Sequence, residues 1–333
     1  MKMHHLAFLV ALALPMCFTT SVLADAQWTG AGGDDLWSNG ANWSTGMPPQ
    51  SATERHNPPA PPNNDNNVAR NQVNGSNILI QSGIDAVAFG VQIGYPIDGT
   101  LGGQAASNTL TMTGGTLTTQ GNFLFNVGRS RNADPNQLVQ FNMSGGVVNA
   151  AGITIPEAFD PNSVLGFTSV GINAEMHVSG NSMVRTDLLR LGAADSNSVL
   201  TISDNARVVL TDENNGFAPG ALWIEAFEST PVGSSLVDIS GNGQLRVHGE
   251  WWTDENANGT RDKATATELQ YFLDNYVAPG WIVANGGAGT LFSTFVPTDQ
   301  SGGGVIIFSA IPEPTTLGLL ALACPGLLLR RRK

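Results

Sequence analysis

The side chains in this sequence that could do chemistry are few. Asp187, Asp204 and Asp238, with Arg185 and Arg190, are the raw material for a catalytic cluster in the central region. Paired carboxylates can divide general-acid and general-base work, and a cationic neighbour can steady negative charge. The plainer account of the same five residues is solvated surface charge. The histidines are His4, His5, His56, His177 and His248, and none has metal-ligand spacing to another beyond the terminal pair. There is no Gly-x-Ser-x-Gly elbow, phosphate-binding loop or dinucleotide fingerprint. The cysteines are Cys17 and Cys324, one in each terminal segment, so the middle of the chain holds no thiol nucleophile.

Two further stretches invite a ligand. Asp254-Glu255-Asn256-Ala257-Asn258-Gly259-Thr260-Arg261-Asp262 puts side-chain oxygens at alternate positions (Asp254, Asn256, Asn258, Thr260, Asp262) with glycine sixth. It resembles an EF-hand or dockerin loop, which would wrap calcium. The twelfth position is Thr265 where a bidentate Glu is expected; Glu268 comes three residues late, and the second loop of a dockerin is missing. The alternative is an Asn/Asp-rich turn before a helix. Apart from calcium, no cofactor is implied. The other stretch, WTGAGGDDLWSNGANWSTGMPP, places Trp28, Trp37 and Trp43 among turn residues. Indole faces could stack on sugar rings, making a glycan platform, or could close the open end of a hydrophobic core.

The elements that would position these residues are short repeated strands. The pattern reads ILIQSGIDAVAF from Ile78, LTMTGGTLTT from Leu110, FNMSGGVVNA from Phe141, MHVSGNSMVR from Met176, LTISDNARVVL from Leu200 and VDISGNGQLRV from Val237. Taking Ile80, Met112, Met143, Val178, Ile202 and Ile239 as equivalent gives steps of 32, 31, 35, 24 and 37 residues. A weaker pattern lies between them: VQIG, FNVG, TSVG and LRLG, closed by Gly94, Gly128, Gly171 and Gly192. Each unit is thus strand, tight turn, strand, loop, strand, loop. That arrangement predicts an all-β chain, a right-handed parallel β-solenoid whose coils form a core only by stacking. Inward positions include Leu110, Met112, Phe141, Met143, Met176, Met183, Leu200 and Val237. The competing reading is an antiparallel sandwich of regular hairpins.

A solenoid needs covered ends. Residues 25–77 read as a Trp-rich N-terminal cap followed by a Pro/Asn-rich loop, 78–248 as the repeats, and 249–310 as a small C-terminal cap. That cap holds one helix beginning at Thr265 or Thr267, with Leu269, Phe272, Leu273 and Tyr276 at amphipathic spacing and Pro279-Gly280 at its end. Two last strands, GTLFSTF and GVIIFSA, follow.

The two ends read as addresses. Residues 1–24 have Lys2, an apolar run over 6–14 and small residues before Ala24 and Ala26, the pattern of a signal peptide cut by signal peptidase. Residues 311–333 combine Pro312-Glu313-Pro314, an apolar stretch over 315–329, and Arg330, Arg331, Arg332 and Lys333. As a helix that stretch would rise only about 22 Å, short of the hydrocarbon core of about 30 Å. The basic stop would stay on the cytoplasmic side.

This three-part ending resembles the sorting segment of PEP-CTERM proteins. The resemblance covers only these residues. It implies that an exosortase-like membrane protease recognises Pro312-Glu313-Pro314 and cuts near it, after transient anchoring by the 315–329 helix. Delivery would be to the cell surface or an extracellular matrix, with extracellular polysaccharide as a partner. More loosely, the repeats are similar to the β-strand repeats of autotransporter adhesins. Without the end segments, ten basic residues face 26 acidic ones, a net charge of −16. A charge of that sign speaks against nucleic acid.

The expectation is therefore an exported, non-catalytic structural or adhesive rod. Its rivals are a polysaccharide lyase or hydrolase on a β-helix, resembling pectate-lyase-like enzymes, and a glycan-binding module.

Overall fold

The computed structural model describes residues 26–53, 67–95, 106–119, 125–128, 136–155, 173–192, 197–211, 221–224, 235–248, 266–298 and 303–311. These residues are mostly β-strand, with one short α-helix. Along Asn77–Ile80, Asn173–Val178 and Asn197–Ile202 buried residues alternate with half-buried or exposed ones, so one row of side chains is buried and the other turns outward, whereas Val68–Asn71, Gly90–Ile93 and Phe125–Val127 are buried on both faces.

The strands fall into three ladders that the chain visits in turn. β1 (Ala26–Trp28) and β2 (Val68–Asn71) pair in parallel and begin the third ladder. The first full circuit is β3 (Asn77–Ile80), β4 (Asp85–Ala88) and β5 (Gly90–Ile93), one strand in each ladder. β6 (Thr109–Thr119) then spans the first and second ladders, pairing with both β3 and β4, and β7 (Phe125–Val127) continues the third. β8 (Leu138–Ala150) repeats the long form and β9 (Ile153–Ile155) follows it. β10 (Asn173–Val178), β11 (Met183–Thr186) and β12 (Leu188–Leu191) make the next circuit. β13 (Asn197–Ile202), β14 (Arg207–Leu210) and β15 (Ala221–Ile224) repeat it. β16 (Ser235–Ile239) and β17 (Gln244–Val247) extend the first and second ladders.

Sixteen of the eighteen strand pairings among the described residues are parallel. Regular hairpins are therefore not how the repeats meet, which removes the antiparallel sandwich. The register sets Ile80 beside Met112, Met112 beside Met143, Met143 beside Val178, Val178 beside Ile202 and Ile202 beside Ile239. These are the six residues equated from the sequence. All are buried, with at most 1% exposure. Fully burying such a side chain is worth about 1.5–3 kcal/mol, so the stacked rows hold the ladders together. Phe125 and Phe141 meet edge to face at 4.9 Å inside the same core.

Two details differ from expectation. Met183 faces outward, paired with Arg207 and Val147, and Val184 takes the core position. The cause is corner length. β6 and β8 bend through three residues ending Gly-Gly, whereas Ser179–Ser182 is a four-residue corner, which shifts the two-residue alternation by one. The third-ladder strand after β8 is Ile153–Ile155, seated between β7 and β12; TSVG lies outside the described residues.

At the short corners glycine is required. Gly146 has φ of +92°, and an added Cβ would lie 2.5 Å from the Gly115 carbonyl oxygen one rung away. At the long corners the left-handed residue is Gly180, Asp204 or Gly241.

The C-terminal part extends the first and second ladders. α1 (Ala266–Phe272) runs on into a π-type turn over Leu273–Val277, burying Phe272 and Tyr276. Burial, with Tyr271 nearby, raises the Tyr276 phenol far above its usual range. β18 (Ile282–Ala284) adds a parallel rung to β16. β19 (Leu291–Pro297) and β20 (Gly304–Ala310) pair antiparallel, and β20 pairs antiparallel with β17. Among the described residues no helix is long and apolar enough to cross a membrane.

Candidate functional site

The outer row of the first ladder carries the most organised polar chemistry. In β10 the i, i+2 alternation puts Glu175 and His177 on the same outward face. The parallel register sets Glu175 beside Gln140 of β8 and His177 beside Thr201 of β13. The result is a continuous line. Gln140 Nε2 donates to Glu175 Oε2 at 2.8 Å, His177 Nε2 lies 2.9 Å from the same oxygen, and His177 Nδ1 lies 2.8 Å from Thr201 Oγ1. Both Glu175 and His177 are about one-third exposed.

A carboxylate only accepts, so Nε2–H faces Glu175 and Nδ1 is free to accept from the Thr201 hydroxyl. Partial burial pushes the Glu175 carboxyl upward. Hydrogen bonds from Gln140 and His177, and attraction to the imidazole, outweigh that and hold it below its usual value. Hydroxyl, imidazole and carboxylate in this order can polarise the hydroxyl. However, Thr201 stands in mid-strand between β10 and β16, so neighbouring backbone N–H groups are engaged in pairing and cannot receive an oxyanion. The line is better suited to exchanging hydrogen bonds with a hydroxyl-rich ligand.

Sequence reading passed over Gln140, Glu175 and Thr201. The signal was there: Glu-x-His within an alternating strand, and Thr201 at the same 24-residue step from His177 that separates Val178 from Ile202.

The five residues named as catalytic raw material do not converge. Asp187 is buried between β11 and β12, where its Oδ1 accepts from Thr211 Oγ1 at 2.6 Å. Asp204 occupies a corner with φ of +57° and accepts from the Gly180 N–H at 2.9 Å. Asp238 lies on the outer row of the first ladder and accepts from the Gly286 N–H at 2.9 Å. Arg185 is on the outer row of the second ladder, and Arg190 is in the third. Each carboxylate has a structural hydrogen bond instead of a shared substrate space.

The tryptophan platform is likewise corrected. Trp28, Trp37 and Trp43 are 2–3% exposed, so none offers a face to a sugar ring. Trp43 meets Trp28 at 5.2 Å and Trp37 at 4.9 Å, both edge to face. The motif docks on β3 through Leu36 beside Leu79, with Trp37 N–H donating to the Leu79 carbonyl. Buried Asn42 knits the turns: its Nδ2 donates to Asp34 Oδ1 at 2.8 Å and the Leu36 carbonyl at 3.1 Å, and its Oδ1 accepts from the Gly32 N–H at 2.7 Å. The indoles therefore cover the first rungs, as an end cap requires.

The calcium candidates Asp254, Asn256, Asn258, Thr260 and Asp262 lie outside the described residues, as do Pro312, Glu313, Pro314, the 315–329 segment and Arg330, Arg331, Arg332 and Lys333. Residues 1–24 also lie outside them. Among the described residues, no group of three or more His, Cys, Asp or Glu side chains is placed to hold a metal ion. Compared with known proteins, the chain matches no protein-family model, no curated protein and no solved structure.

Proposed function

We propose that this chain is an exported protein of the cell surface or extracellular matrix. In this reading it is a right-handed parallel β-solenoid without catalysis, and its work is structural and adhesive. The observation that carries the reading is the unbroken register from Ile80 to Ile239, which stacks polar outer rows into straight lines along one column. A column whose rungs are bonded through the backbone resists bending, as a structural rod must. The right-handed sense is the one that crossovers between parallel strands take.

Asn205 Nδ2 donates to Asn181 Oδ1 at 3.2 Å, and Asn242 Nδ2 to Asn205 Oδ1 at 3.0 Å, a row of amides suited to polysaccharide hydroxyls. Delivery follows from the ends: signal peptidase removes the leader, the apolar 315–329 segment pauses in the membrane, and an exosortase-like protease acts at Pro312-Glu313-Pro314. Antibodies raised against the purified protein test this. They should label intact cells or their matrix. Labelling only after the cells are broken open would overturn the proposal.

A further inference from the structure

Arginine is unevenly placed on this molecule. The described residues contain five arginines and no lysine, against nine acids. Three of the five, Arg185, Arg207 and Arg246, stand on the outer face of the second ladder in the successive strands β11, β14 and β17. Arg185 and Arg246 lie in one row on either side of Val209, two rungs apart, and Arg207 lies one residue pair away beside Met183 and Gln244. Rungs are spaced by about 4.8 Å, so the guanidinium groups repeat along the stack at short, regular intervals.

No acid stands among the outward neighbours Asn149, Met183, Val209 and Gln244. Arg246 bonds to neutral Gln244, with Nε at 3.1 Å and Nη2 at 2.7 Å from its Oε1. Among the described residues Arg185 and Arg207, both exposed, have no ion-pair partner. Partial burial and repulsion from Arg207 both lower the Arg246 pKa. Like charges were brought together here without counter-charge, in a chain whose net charge is −12.

We infer that the outer face of β11, β14 and β17 binds a linear carboxylated polysaccharide laid along the stack, its carboxylates paired with Arg185, Arg207 and Arg246. The linear row selects a polymer with repeating anions over a single small anion. Planar guanidinium groups suit carboxylates, which they can bind through two parallel hydrogen bonds. Asn149 and Gln244 add amides for hydroxyl groups. The outward positions beside the arginines hold no aromatic side chain on which bases could stack.

The inference deepens the adhesive reading proposed above and rests on it. The test is affinity electrophoresis and calorimetry of the purified protein with polygalacturonate, neutral dextran and single-stranded DNA. Polygalacturonate should bind, and binding should weaken as salt shortens the screening length below about 10 Å. R185Q/R207Q/R246Q should weaken it at least about tenfold without moving the thermal midpoint. R185K/R207K/R246K, which keeps the charge, should retain most of the binding and checks the fold independently. An undiminished triple Gln variant, equal binding to dextran, or tighter binding to DNA would overturn the inference. Surface labelling with no polygalacturonate binding would sink this inference alone; polygalacturonate binding by a chain found only inside cells would sink the adhesive reading alone.

Discussion

Trp43 donates its indole N–H to the backbone carbonyl of Trp37 at 2.8 Å while its ring meets the Trp37 ring edge to face at 4.9 Å. One residue thus supplies both packing and polar satisfaction to the N-terminal end of the stack. Trp43→Ala removes a fully buried aromatic and should cost about 3–5 kcal/mol. Trp43→Phe keeps a ring but leaves the Trp37 carbonyl unpaired, and should cost about 1–3 kcal/mol. Urea denaturation of the two variants measures the difference.

The same cap should respond to acid. The hydrogen bond from Asn42 above all holds the Asp34 carboxyl below its ordinary value; burial opposes it, and the bonds from Asn39 and the Leu36 N–H help to outweigh burial. The folded cap therefore prefers the carboxylate. Its contribution is present above the unfolded carboxylate pKa of about 3.9 and is lost as pH falls through the lower folded value. Tryptophan emission followed from pH 6 down to pH 2 should show the cap loosening in that acid window. Asp34→Asn should remove this step and leave emission flat there.

The corners make a sharper distinction between glycines. Gly146 and Gly33 both have positive φ, but an added Cβ at Gly33 meets nothing within 4 Å, whereas at Gly146 it meets backbone of the neighbouring rung. Gly33→Ala should cost about 1–2 kcal/mol from backbone conformation alone. Gly146→Ala should cost more than about 3 kcal/mol, because two stacked backbones must separate. Thermal melts of the two variants would rank them.

Much of this architecture was legible because side-chain period and turn chemistry act locally. The apolar-polar alternation and the Ser-Gly/Asp-Asn corners were enough to align six repeats, and the backbone register joins the same six residues. What failed was parity and facing. Met183 and Val184 exchange roles because the Ser179–Ser182 corner is a residue longer than the Gly-Gly corners, which shifts the alternation after it by one. Trp28, Trp37 and Trp43 suit a platform as well as a cap until burial decides. Asp187 looked available, yet the fold encloses it. The Glu175–His177–Thr201 line went unseen because its members belong to different repeats, and only the register makes them neighbours.

Parallel stacking can be checked by cross-linking at the exposed corners. Asn181 and Asn205 occupy adjacent rungs, about 4.8 Å apart, within the Cα separation a disulfide spans. With Cys17 and Cys324 replaced by Ser, Asn181→Cys/Asn205→Cys should oxidise to an intramolecular disulfide. Asn181→Cys/Asn242→Cys, two rungs apart, should remain reduced under the same conditions.

Delivery is the centre of the proposal, and intact-mass spectrometry of the protein recovered outside the cells tests it most directly. Ala26 is fully buried and pairs with Ala69 in β1, so cleavage after Ala26 would remove a packed residue, and cleavage after Ala24 would spare it. The expected mature chain begins at Asp25 and ends near Pro314, without the apolar segment or basic tail. A surface-exposed protein that still carries Met1 and Lys333 would contradict both processing steps and with them the sorting account.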